Sequence, residues 1–410
     1  MRLSRLLEDR RVASARSGPG LANFPIADAH VAERRYSGVV MTEARVCRVM
    51  LACTAALMAL PALAQIPTEQ ALPDQSQLLL SENAYNPLPS PDGKYIAYVA
   101  TGWGRRRPNE IFISGGRSSL VSDVEIMDSS GKILAPPIGR RMFLAGWTPD
   151  SKAVICYRDW RYAVFTPNGV SLDAGAFPLG DDLPRLERAT FLPDVGHAVW
   201  LQIERPKEIL VTSTGPLLTL PLGTDASLIA PSPDGRYLAL MGASSGILWI
   251  YDRTLLHWTN LGRANVSPSS DWDYVQPSWD PWFKDSSQLA FFSGLDLVIC
   301  APDGTKRRTL WTADSDHPAG LAAPSPNGAE VAFVTFQSRP ATHRPDLKFW
   351  GNTSVSVIST IEGSRPRMLA PVNPDTTTVL RWLGSDSLVF DRMRENLFAM
   401  YSRIWRIAVH

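Results

Sequence analysis

Ser90-Pro91-Asp92-Gly93-Lys94-Tyr95-Ile96-Ala97-Tyr98 decides how this chain is read, because the phrase returns. It reads S-P-D-G-R-Y-L-A-L over 232–240 and S-P-N-G-A-E-V-A-F over 325–333, with a looser copy, K-D-S-S-Q-L-A-F, over 284–291. Self-similarity at a period of roughly 40–50 residues is the signature of stacked supersecondary units. Proline presets φ at the start of a turn, and Asp-Gly or Asn-Gly supplies the positive-φ corner of a tight hairpin. A strand follows at once, with a small Ala between two larger apolar residues: Ile96-Ala97-Tyr98, Leu238-Ala239-Leu240, Leu289-Ala290-Phe291 and Val331-Ala332-Phe333. That pattern suits a strand held between neighbouring sheets, closely packed on one side and filling a core on the other.

Weaker copies extend the series. W-T-P-D-S-K-A-V-I-C runs 147–156, F-L-P-D-V-G-H-A-V-W runs 191–200 and W-L-G-S-D-S-L-V-F runs 382–390. Seven turn centres result, near Asp92, Asp150, Asp194, Asp234, Asp285, Asn327 and Asp386. Further short strands lie between them, such as I-L-W-I-Y at 247–251 and D-L-V-I-C at 296–300, many ending in a turn such as A-P-D-G at 301–304. Short strands at even spacing read as all-β, and four strands per unit of this length read as a propeller. The prediction is an all-β chain whose residues 88–410 form a seven-bladed β-propeller of four-stranded antiparallel blades. The last repeat shows no fourth strand of its own, so Q-S-Q-L-L-L at 75–80, within an N-terminal segment 65–87, is expected to close the ring and remove two exposed edges.

The repeat phrase resembles the propeller repeat of TolB-like, WD-repeat-like proteins, and also that of the non-catalytic propellers of prolyl-oligopeptidase-type peptidases. The resemblance covers roughly residues 88–410 and implies the fold. It leaves function open, because propellers host unrelated activities. The N-terminal α/β domain of TolB is not visible ahead of the first repeat.

With 41 Lys and Arg against 40 Asp and Glu the net charge is +1, which excludes bulk attraction to nucleic acid or membranes. The apolar run V-M-L-A-C-T-A-A-L-M-A-L at 49–60 follows Arg45 and Arg48 and precedes Ala62-Leu63-Ala64, a small-x-small cleavage pattern. Residues 41–64 therefore read as a secretory signal cleaved after Ala64, giving a periplasmic or secreted chain with no transmembrane segment once mature. Residues 1–40 read as an upstream extension outside the mature protein; a genuine tail is the alternative. Cys156 and Cys300, in separate repeats, read as buried free thiols rather than a disulfide.

Catalytic signals are weak. Gly242-Ala243-Ser244-Ser245-Gly246 matches G-x-S-x-G, but that motif works on a strand-to-helix elbow, and here it joins two strands. No His or Cys spacing suggests a metal site, and the recurring Asp residues serve the turns. No catalytic residue, metal or cofactor is assigned.

Binding signals are stronger. The loops after the repeat strands leave a propeller at one end, and they carry Trp103, Arg105, Arg106, Arg107, Arg158, Trp160, Arg161 and Arg344. The connection D-W-D-Y-V-Q-P-S-W-D-P-W at 271–282 adds Trp272, Asp273, Trp279 and Asp280. Arg and Trp are favoured in binding hot spots. The expectation is an exported, monomeric, non-catalytic module in the cell envelope that binds a protein or peptide, with an anionic polysaccharide as the other ligand. The alternative is a carbohydrate-active or other enzyme with its site over the central channel.

Overall fold

Four of the repeat phrases fold into the same turn; the turn centred on Asp194 lies outside the described residues. Ser90 Oγ donates to Asp92 Oδ1 at 2.7 Å and accepts from Tyr95 N–H at 3.0 Å, while Gly93 N–H reaches the Ser90 carbonyl and takes φ 72°. Ser232 and Asp234, Ser325 and Asn327, and Thr148 and Asp150 repeat this side-chain bond at 2.6, 2.7 and 2.7 Å. The conserved chemistry is thus an acceptor two residues after a hydroxyl, with a left-handed residue following.

The structure is a computed structural model. It describes residues 76–80, 84–101, 122–134, 137–140, 142–158, 161–176, 186–191, 199–203, 209–212, 215–220, 226–242, 245–265, 279–340, 348–372, 377–395 and 400–409. All lie in one unit, Gln70–His410.

The strand β1 (Ser76–Leu80) comes first. The first sheet follows as β2 (Ala84–Pro89), β3 (Tyr95–Thr101), β4 (Ser122–Asp128) and β5 (Gly139–Arg140). The second is β6 (Phe143–Trp147), β7 (Val154–Arg158), β8 (Arg161–Phe165) and β9 (Ser171–Ala176). The third is β10 (Leu186–Phe191), β11 (Val199–Ile203), β12 (Ile209–Thr212) and β13 (Gly215–Thr219). The fourth is β14 (Ala226–Pro231), β15 (Tyr237–Gly242), β16 (Ile247–Asp252) and β17 (His257–Arg263). The fifth is β18 (Leu289–Ser293), β19 (Asp296–Cys300) and β20 (Arg308–Thr312). The sixth is β21 (Ala319–Pro324), β22 (Glu330–Pro340), β23 (Lys348–Ser359) and β24 (Arg367–Val372). The last holds β25 (Leu380–Leu383), β26 (Ser387–Glu395) and β27 (Met400–Ala408), with β1 as its outer strand, paired antiparallel to β27 from Ser76↔Ile407 onward.

The fold is an all-β propeller, and its blade count corrects the expectation. Six blades are four-stranded antiparallel sheets, not the seven predicted; the fifth sheet has three strands among the described residues. Among the described residues the fifth sheet shows no regular innermost strand. Asn265 bridges Phe292 and Trp282 bridges Leu289, so two contacts three residues apart on β18 are made by residues seventeen apart in sequence. A strand cannot absorb that excess and stay in register.

The core lies between sheets. Ala97, Ala239, Ala290 and Ala332 are all fully buried. Ala97 packs with Trp147 of the second sheet, Ala239 with Trp282 beside the fifth and Ala332 with Trp382 of the last. The larger flanking residues face the other way: Ile96 and Tyr98 pack with Leu383, Val389 and Ile404, and Leu238 and Leu240 with Leu220. The small residue therefore makes room for the next sheet, often for its Trp, and the large ones fill the gap to the preceding sheet. The indole of Trp147 donates to the Leu88 carbonyl at 2.8 Å, Trp282 to Ala230 at 2.9 Å and Trp382 to Ala323 at 2.8 Å. Each donor belongs to the repeat that follows an S-P-x-G repeat, and each acceptor stands two residues before that repeat's serine. Among the described residues no helix is long and apolar enough to cross a membrane.

Candidate binding face

The hairpin of β7 and β8 brings the predicted arginines together. Tyr157 stands opposite Tyr162, and one step further Arg158 stands opposite Arg161, both exposed. Val154 to Tyr157 are all buried, so exposure on β7 begins at Arg158.

Aromatic rings frame this tip. Phe143, at the start of β6, is 49% exposed and lies 5.5 Å from the Tyr157 ring at 37°. Tyr162 extends over Gly175 on β9, where an added Cβ would sit 2.8 Å from its hydroxyl. Its hydroxyl approaches Asp173 at 3.5 Å, and burial, then that carboxylate, raises its pKa. Tyr85 of β2 belongs to the same neighbourhood: burial, with Tyr157 as second cause, pushes its pKa up to about 12. Phe143, Tyr157 and Tyr162 thus stand in the second sheet one step below the two guanidinium groups, with Tyr85 of the first sheet near Tyr157.

Innermost strands bend at this end of the ring. Register shifts fall at Tyr85/Leu88 in β2, Leu144/Gly146 in β6, Leu186/Arg188 in β10, Ala226/Leu228 in β14 and Gly320/Ala323 in β21. Asn86 takes φ 54° and Leu321 takes φ 56° inside two of these bulges. Bulges of this kind re-aim side chains and gather beside functional sites.

The other predicted site residues divide. Trp103, Arg105, Arg106, Arg107, Trp160, Trp272, Asp273 and Arg344 lie outside the described residues. Trp279 is 8% exposed and packs in the apolar core with Trp282 and Phe291. Asp280 is exposed, and its charge supports the buried Arg381 of β25, whose guanidinium pKa is drawn down by burial. Sequence reasoning missed Phe143 and Tyr85. Both stand at the start of innermost strands, which have no repeat phrase of their own; Tyr157 and Tyr162 lie in Y-R-D-W-R-Y at 157–162, the stretch that carries the predicted arginines, but were not singled out.

Ser245 serves its own hairpin. Its hydroxyl accepts Ile247 N–H at 3.2 Å, and Gly246 N–H reaches the Gly242 carbonyl between β15 and β16. Cys156 and Cys300 are buried free thiols, and burial raises both pKa values, that of Cys300 to about 11. Among the described residues no His, Cys, Asp or Glu cluster could hold a metal ion.

Among solved structures, the chain is similar to the β-propeller domain of Cps50 (Swd1) from Myceliophteria thermophila. Identity is 14% and the TM-score 0.51, over 80% of this chain and 99% of that one. It is also similar to a protein from Agrobacterium tumefaciens that carries the TolB name (15% identity, TM-score 0.39, covering 67% and 94%). The WD40 domain of Toxoplasma gondii coronin is a third (11% identity, TM-score 0.44, covering 84% and 88%). The first of these likenesses shows the β-propeller fold. No family model and no curated protein matches the chain.

Proposed function

We propose that this chain is an exported, non-catalytic binding module that takes an acidic protein or peptide segment at the blade end carrying Arg158 and Arg161. The observation that carries this reading is the cross-strand arginine pair itself. Two guanidinium groups exposed opposite one another at a strand end offer adjacent positions for carboxylates. Planar guanidinium groups take carboxylates bidentately, and the exposed ring of Phe143 nearby supplies contact area at low entropic cost. The leader-like pattern at 41–64 supports export and, with it, a partner in the cell envelope.

The test is a double replacement, Arg158→Ala with Arg161→Ala, in the full chain. Binding to partners recovered by crosslinking should weaken about ten-fold or more at low salt, and by less at high salt, where screening already removes part of the attraction. Thermal unfolding should change little, since exposed substitutions matter by about 0.5 kcal/mol. Unchanged affinity at low salt would remove this hairpin from the site.

A further inference from the structure

The opposite end of the propeller, where the repeat turns lie, has a cleft of its own. A hollow of about 410 Å³ opens between the fifth and sixth sheets, walled by Phe283, Lys284, Asp285, Gln288, Arg308 and Asn327 among others. Its available polar groups are mostly donors. Arg308 uses Nη1 on the Thr360 carbonyl at 2.8 Å, and its guanidinium has no second partner among the described residues. Lys284 is exposed, with no ion-pair partner among the described residues. The one carboxylate in the wall, Asp285, keeps its charge and turns both oxygens onto Ser287: Oδ1 accepts Ser287 N–H at 3.0 Å and Oδ2 accepts its hydroxyl at 2.8 Å, and Lys284 and Arg308 outnumber it.

The chain supplies its own comparison. At the equivalent turn positions the first and fourth blades carry Asp92 and Asp234, followed two residues on by Lys94 and Arg236. Lys94 folds onto Asp92 at 3.1 Å. In the sixth blade these positions are Asn327 and Ala329. Asn327 Oδ1 still makes the turn, accepting from Ser325 Oγ at 2.7 Å and Ala329 N–H at 3.0 Å. Its second atom is now an amide donor rather than a carboxylate oxygen, and the long cation two residues on is absent. The same turn is built with one negative charge fewer and no side chain to cover it. Lys284 likewise stands where the second blade has Pro149.

We propose that this cleft binds a carboxylate group, carried by a small polycarboxylate or by the C-terminus of a peptide. A planar guanidinium edge and planar amide groups match a planar carboxylate, with Lys284 as a supporting point charge. The volume falls within the range of small-ligand sites, roughly 300–1,000 Å³. This site does not depend on the arginine hairpin at the other end.

Calorimetric titration of the full chain tests it with four probes: citrate, inorganic phosphate, a tetrapeptide with a free C-terminus and the same peptide amidated. Citrate or the free-acid peptide should bind saturably at one site, and the tighter of the two names the source. Asn327→Asp should weaken that binding about ten-fold or more; it restores the turn found at 90–93 and 232–235, so folding is retained. Arg308→Gln and the exposed Lys284→Gln should weaken it too, and Arg158→Ala with Arg161→Ala should leave it unchanged. The assignment is overturned if neither carboxylate binds, if phosphate or the amidated peptide binds more tightly than both, or if Asn327→Asp binds as the wild type does.

Discussion

Trp147, Trp282 and Trp382 are the residues through which one blade holds the next. Each buries its rings and satisfies a carbonyl on the preceding blade; in two of the three junctions a Tyr stacks on the Trp, Tyr95 at 6.0 Å and Tyr237 at 5.9 Å. The same two junctions carry a second tie. Ser151 Oγ accepts Asp92 N–H at 2.9 Å, and Ser286 Oγ accepts Asp234 N–H at 3.0 Å. Both serines occupy the left-handed corner that other turns give to glycine, at φ 62° and 60°. Their hydroxyls explain why a strained residue is kept there. Trp147→Phe should therefore cost about 1–3 kcal/mol, because it leaves the Leu88 carbonyl without its donor. Ser286→Ala should cost about 1 kcal/mol, because the positive φ remains and the acceptor is lost. Urea denaturation measures both, and a neutral Trp147→Phe would show that the bond is dispensable.

Acid response also belongs to single residues. The Thr148 hydroxyl and Lys152 N–H hold the Asp150 carboxyl down to about 2. An unfolded Asp titrates near about 3.9, so the folded state prefers the ionised form. Its contribution is present in full above the unfolded value and is lost as pH falls through the folded one. The stability difference between wild type and Asp150→Asn should be flat from pH 7 to 5 and should shift against the wild type between pH 5 and 2. The effect is small, since the side chain is 53% exposed. A transition centred near neutrality in denaturation at stepped pH would contradict it.

At the scale of elements, β1 closes the ring. It pairs with β27 on one side, and on the other Leu79 packs against the turn between β4 and β5 of the first blade. An added Cβ at Gly131 in that turn would meet the Leu79 carbonyl at 2.9 Å, at φ 93°. Arg406 Nη1 donates to the Ser129 carbonyl at 3.0 Å across the same junction. Gly131→Ala should destabilise by more than about 1 kcal/mol, through strain and a backbone clash together; an unchanged melting temperature would refute that. The repeat turns, the buried alanines and the closing strand were legible because each has a strict local requirement: a hydroxyl–acceptor pair, a small side chain or an unpaired edge. The innermost strands were not. Sequences such as A-Y-N-P-L-P and A-G-L-A-A-P bulge rather than alternate, so they carry no period-two signal. The fifth sheet looked regular for that reason: its turn, K-D-S-S, is intact, and among the described residues only two isolated bridges stand on its inner side.

At the scale of the whole molecule, the propeller has two chemically different ends. One presents Arg158, Arg161 and Phe143; the other presents the repeat turns, the donor-lined cleft and the exposed pair Leu255 and Leu256 at the tip between β16 and β17. The arginine hairpin could be read from Y-R-D-W-R-Y, because strand–turn–strand topology fixes which end it occupies. The burial of Trp279 could not, because it follows from packing between blades rather than from local composition. The proposed export belongs to this scale as well. The mature protein should begin at Gln65, and N-terminal sequencing that starts at or before residue 41 would rule that out.

The most direct test of the binding face is site-specific photocrosslinking in the native host. A photoreactive phenylalanine derivative replaces Phe143 at one end of the propeller and Leu256 at the other. Position 143 should yield a discrete crosslinked partner, reduced by Arg158→Ala with Arg161→Ala, and position 256 should not yield that partner. A discrete partner from position 256 with none from position 143 would place the binding face at the other end of the ring.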